Sequence, residues 1–275
     1  MDWYSVGLAA ASGCIAALIA SLIFVKNKEN KENKEKKEKK VGFTIVFIVL
    51  FFTLNTLSKQ FILPEVNAYK AKSDVESVFD EVPAFVSIKK HEPVIYQKLK
   101  DSIADAARND YSQQQTIDLI RTQIAGLVES RLPHASDEAI LAYMNVMVSS
   151  MEELQRQGLG LCYRFLFPQV EGGVDGRKVF SQETQKKDLL ALDKIIKTSD
   201  SKKKIPSDSD VMPYLGPILA GIYTKFGDDI SMIKNPTAKN VDKGKVCIMT
   251  MEIYKNILAL PPEQAANALR WMFRE

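Results

Sequence analysis

The sequence predicts an all-α protein, with two N-terminal transmembrane helices followed by a helical bundle of about eight helices. Three observations carry this reading. Trp3 to Val25 and Val41 to Ser58 contain no Asp, Glu, Lys, Arg or His, and Lys59 is followed by Phe61-Ile62-Leu63. At about 1.5 Å per residue, either stretch is long enough to cross a hydrocarbon core of about 30 Å. Beyond Leu63 the apolar residues recur with the period of a helix, and no alternating strand pattern rivals them. The expected organisation is a membrane anchor over residues 1–63 and an extracytoplasmic domain over 64–275. The anchor has spans at about 4–25 and 41–63, joined by a lysine-rich connector at 26–40.

The first span begins Met1-Asp2-Trp3-Tyr4 and has its basic residues after the apolar run, the reverse of a secretory signal. Its small residues are ordered. Ala9, Gly13, Ala17 and Ser21 recur every four positions, which stacks them into a transmembrane packing ridge that lets another helix approach closely. The second span is heavy in Phe, Ile, Val and Leu, reads as apolar on all sides, and is expected to be the more lipid-exposed of the two. Between them the connector carries eight lysines against four glutamates, so it is expected to stay cytoplasmic and to meet anionic lipid. The N-terminus and everything after Leu63 then lie on the other side. The formal charge of +3 belongs to this connector; the rest of the chain is close to neutral and offers nucleic acid no basic surface.

Helix signals follow one another down the domain. Pro64 suits a first turn of a helix leaving the membrane with Val66, Tyr69, Val75, Val78 and Phe79, and Pro83 and Pro93 punctuate what comes next. A helix is predicted from Pro93 to Arg108. Ser112 caps another that bears Ile117, Ile120, Ile124, Leu127 and Leu132. Ser136 opens a third, whose stripe is Ile140, Leu141, Met144, Met147, Val148, Met151 and Leu154, and Gly158 ends it. Leu159–Phe167 reads as a short buried helix stopped by Pro168. Glu171–Gly176 is a turn, drawn as the tip of a small hairpin. Further helices are predicted from Ser181, around 210–226 with a kink or late start at Pro217, after Asn240–Asp242, and from Glu263 to Phe273. Thr198–Asp210 is a polar loop.

Candidates for chemistry are few. Cys162 and Cys247 are the two thiols of a domain expected in an oxidising compartment, where a disulfide between them would close a long loop; two separate buried thiols are the alternative. His91 and His134 are the only histidines and share no ligand spacing with each other or with the cysteines, so no metal or other cofactor is expected. Gly172, Gly173 and Gly176 lack the strand and spacing of a phosphate loop. Eight of the nine methionines lie in the domain, either as core or as an adaptable apolar lining.

The run Glu129-Ser130-Arg131-Leu132-Pro133-His134-Ala135-Ser136 resembles the catalytic opening of membrane-bound lytic transglycosylases, all-α periplasmic enzymes in which a Glu followed by Ser is the acid/base. The resemblance implies that Glu129 would protonate a glycosidic oxygen of peptidoglycan. It covers eight residues, and the Gly-Ala-x-Gly-Leu-x-Gln expected downstream is replaced by Asp137-Glu138-Ala139-Ile140-Leu141. Taken together, the residues lead us to expect a non-catalytic interaction or assembly module of a bacterial envelope complex, held in the inner membrane with its domain in the periplasm. A protein partner or a second copy would dock on the domain or the small-residue ridge. Peptidoglycan cleavage by Glu129 and carriage of an apolar ligand are the alternatives.

Overall fold

The computed structural model describes residues 11–12, 15–16, 47–199 and 204–274, and every regular element among them is helical. The first is one continuous helix, α1, Phe47–Glu81. The sequence places a new helix start at Pro64, yet α1 runs through it. Pro64 has no N–H to give the turn below, and directly before it Ser58–Ile62 widens into a π-turn that Leu63 N–H closes on Ser58 O. The wider turn accommodates the missing donor, so the predicted boundary at residues 63 and 64 falls inside a helix.

Nine helices of eight or more residues follow: α2 (Pro83–His91), α3 (Pro93–Arg108), α4 (Gln113–Arg131), α5 (Asp137–Gln157), α6 (Leu159–Leu166), α7 (Gln182–Thr198), α8 (Asp208–Phe226), α9 (Lys243–Leu258) and α10 (Pro262–Met272). Their ends are set by local chemistry. Ser112 and Gln115 form a reciprocal capping box on α4, while Ser136 and Ser181 accept from the amides of Ala139 and Thr184. Gly158, at φ 150°, closes α5 where a side chain would be strained. Helix α8 is continuous through Pro213 and Pro217, without the late start. No hairpin forms at Glu171–Gly176, because single helical turns at Pro168–Glu171 and Gly176–Val179 flank it.

The described residues fall into two compact units. Those up to 74 together with 103–111 form one, and those of 75–102 together with those from 112 onward form the other. In the second unit, α5 is the axis: it packs against α6, α7, α9 and α10. Ile140, Met144, Val148, Met151 and Leu154 are buried on it, the expected stripe, while Leu141 and Met147 flank that stripe half-buried. Helix α2 packs on α7, where Ser87 Oγ donates to Asp193 Oδ1 at 2.5 Å and Lys197 neutralises the other oxygen at 2.7 Å. The buried carboxylate thereby gains the partners that burial demands.

The largest side chain hidden from solvent is an arginine. Arg270 of α10 is 1% exposed, and its Nη2 donates to Ala135 O at 2.7 Å and to Asp137 Oδ1 at 2.5 Å. Those acceptors are the residue before the cap of α5 and its first helical residue. A single guanidinium thus fixes where the axial helix begins, and it meets a carboxylate at the end where the helix dipole favours one. We expect Arg270→Ala to lower stability by about 2–3 kcal/mol, less than for a fully buried pair because Asp137 keeps contact with water. Thermal unfolding followed by circular dichroism checks this, and Arg270→Lys should restore only part of the loss, since a shorter chain with one nitrogen gives up the second donor, Nη1, that meets Asn267 Oδ1 at 3.2 Å.

Candidate functional site: an apolar helix with a polar inner face

Between Phe47 and Ile62, α1 exposes a row of large apolar side chains and shelters two polar ones. Phe47, Leu50, Phe51, Leu54, Asn55 and Ser58 are sheltered at helical spacing, so they share one inner face. Ser58 is buried on it, and the Oδ1 of Asn55 is shielded from solvent with no hydrogen-bond partner among the described residues. The outer face presents Ile48, Val49, Phe52, Leu57, Phe61 and Ile62, between 45% and 63% exposed. The hydroxyls of Thr53 and Thr56 are returned to the carbonyls of Val49 and Phe52 at 2.9 and 2.7 Å, so neither presents an unmet donor, while Lys59 and Gln60 are exposed between Leu57 and Phe61. The expectation that this span is apolar on all sides is therefore corrected: Asn55 and Ser58 lie together on the inner face.

The first apolar stretch contributes Ser12 and Ala16, both buried and one helical turn apart, while Ile15 between them is exposed. Ser12 Oγ lies 3.3 Å from Ser58 Oγ. The ridge residues Ala9, Gly13, Ala17 and Ser21 lie outside the described residues, as does the connector 26–40. Ser12 and Ala16 precede Gly13 and Ala17 by one position each. Sequence reasoning passed over Ser12, Asn55 and Ser58, although isolated polar residues inside apolar runs were the signal that could have found them. Above the apolar band, Glu65 forms a two-pronged pair with Arg108, Nε–Oε1 at 2.7 Å and Nη2–Oε2 at 3.1 Å. The guanidinium holds the Glu65 carboxyl below its ordinary range.

Cys162 of α6 and Cys247 of α9 come together at disulfide distance, with Cα atoms 6.1 Å apart. Both are fully buried in one apolar cluster with Val148, Met151, Leu154 and Met251. Glu129 is exposed in the last turn of α4. The open groove nearest to it in sequence has a volume of about 470 Å³ and is lined by Ile95, Lys98, Gln123 and Leu127 among others. Glu129 does not line that groove, and Ser130 does. Arg131 and Glu92, which pair with each other, also line it. Among the described residues, no three His, Cys, Asp or Glu side chains gather as a metal site. Met144, Met151, Met249 and Met251 are buried in the core.

Thiol counting checks the pairing. In chain purified without reductant and unfolded, a maleimide should label Cys14 alone, and reduction should add two more labels. Closing a loop of 85 residues contributes about 4 kcal/mol on the chain-entropy estimate, so Cys247→Ser should lower stability by a large part of that. Comparison with family models, with curated proteins and with solved structures gives no match to this chain, so the reading of its function rests on its own residues.

Proposed function

We propose that this chain is a two-span protein of the bacterial inner membrane that presents its helical domain to the periplasm. There it serves as an interaction or assembly module of an envelope complex. The exposed apolar face of α1 carries the reading. A helix exposing Phe52, Phe61, Ile48 and Ile62 while sheltering Asn55 and Ser58 is stable where the surrounding solvent is hydrocarbon. In water the same arrangement would expose a broad apolar band.

The Ser12–Ser58 contact supports a second span. The two serines stand at comparable distances on either side of the connector, as an antiparallel hairpin requires. The eight lysines of that connector support a cytoplasmic turn, hence a periplasmic domain. The cysteine pair agrees with the same side, because disulfides persist in oxidising compartments. The interaction role is supported by the open groove between α3 and α4. Its mix of Ile95 and Leu127 with Lys98, Arg131 and Glu92 suits the side chains of a protein surface.

Fusions at Glu275 test the topology. Alkaline phosphatase should be active there and a cytoplasm-only fluorescent protein dark; the opposite pair of results inverts the molecule and ends the periplasmic assignment. A photo-crosslinking residue at Lys98 should capture an envelope protein in intact membranes. Capture should be lost with Leu127→Glu and absent when the crosslinker stands at Lys186, on a different helix. Equal capture from Lys186 would remove the groove from the proposal.

A further inference from the structure

The C-terminal end of α3 returns to the level at which α1 leaves its apolar band. Partners along the two helices change in opposite directions. Phe79 meets Tyr96 with ring centroids 5.8 Å apart, Glu76 pairs with Lys100 at 2.7 Å, and Glu65 pairs with Arg108. As the position on α1 falls, the position on α3 rises, so α3 descends as α1 ascends. Glu65 lies two residues past Leu63, about 3 Å along the axis from the last residue of the apolar band. The next residues on α3 continue downward from that point.

Those residues form a tight reversal. Asp110 takes the left-handed conformation at φ 52°, and Tyr111 N–H closes on Ala106 O at 2.9 Å, the bond that ends a helix in a Schellman turn. All the orphan groups of a helix end would otherwise need water or side chains. Tyr111 follows this turn, and its side chain is 49% exposed. Tyr69, the other strongly exposed tyrosine among the described residues of the same unit, stands on α1 at 80% exposure, six residues beyond Leu63. Two exposed tyrosines just past an apolar band form the pattern of an interfacial belt, where the ring is taken up by acyl chains and glycerol while the hydroxyl stays with water and phosphate.

We propose that the Asn109–Tyr111 turn is a membrane-contact element, with the Tyr111 ring seated in the headgroup layer of the leaflet from which α1 emerges. The proposal rests on the membrane reading of α1 and adds a contact that the spans themselves do not make. The turn is held there by the Arg108–Glu65 pair, which ties the end of α3 to the emerging helix. The occupant of this surface is lipid.

Spin labels test it in full-length chain with Cys14→Ser, reconstituted in vesicles of phosphatidylethanolamine and phosphatidylglycerol. Labels are placed one at a time through Tyr111→Cys, Phe52→Cys and Lys186→Cys, and collision with oxygen and with a water-soluble nickel chelate is measured. The label at position 111 should collide with nickel several-fold less than the label at 186, and more than the label at 52. A label at 111 as accessible to nickel as the one at 186, with 52 protected, overturns this proposal and leaves the anchor standing. Nickel reaching 52 as freely as 186 overturns the anchor and the contact with it. If Tyr111→Cys does not accumulate, Tyr111→Trp keeps the ring. Its added fluorescence should be quenched by lipids brominated near the glycerol, and absence of quenching overturns the proposal equally.

Discussion

The constraint on which the rest of this structure depends is the exposed apolar face of α1, a helix long and apolar enough to cross a membrane. It shelters Asn55 and Ser58 beside Phe47, Leu50, Phe51 and Leu54, and exposes Ile48, Val49, Phe52, Leu57, Phe61 and Ile62. Three of its hydroxyls are satisfied within the protein: Thr53 and Thr56 bond to their own helix, and Ser58 meets Ser12, while Lys59 and Gln60 are exposed at the end of the stretch. Without water to satisfy a misplaced donor, such a group costs several kcal/mol in hydrocarbon. Ser12 and Ala16 are both buried, and Ser12 is the partner that Ser58 finds.

The helical domain solves the opposite problem, since it must exclude water from its interior. It does so around one helix. Helix α5 offers aliphatic and methionine side chains in several directions, and α6, α7, α9 and α10 cover them. Three of its buried polar groups find partners at the margins of that core. Arg270 reads the start of α5, Asp193 is answered by Ser87 and Lys197, and the Tyr163 hydroxyl donates to the carbonyl of Pro236. Matched pairs of this kind add little net stability over apolar packing, but each one rejects alternative packings in which it would be left open.

Much of this was legible in the residues. Helix signals are local, so Ser112, Ser136, Ser181 and Gly158 marked their ends correctly, and the stripe on α5 named its own core. The meeting of Cys162 with Cys247 was open from sequence, because two positions 85 apart meet only through the packing of α6 on α9. Pro64 misled for a related reason. Its missing donor normally ends or begins a helix, and the remedy, a wider turn beginning six residues earlier, leaves no signature in composition. The sheltering of Asn55 and Ser58 depends on a facing segment that a single-helix reading does not contain.

The π-turn at Ser58–Ile62 has an azimuthal consequence. Continued as plain α-helix from Asn55 and Ser58, the sheltered stripe would carry Ile62, Glu65 and Tyr69, yet all three are exposed. One residue of extra winding is worth about 100° of rotation, so this stretch resets the phase of α1 between its apolar band and the turns that follow. Substitutions leave that phase alone. A one-residue insertion or deletion there would swing Glu65 away from Arg108, which makes the length of this short stretch more binding than its composition.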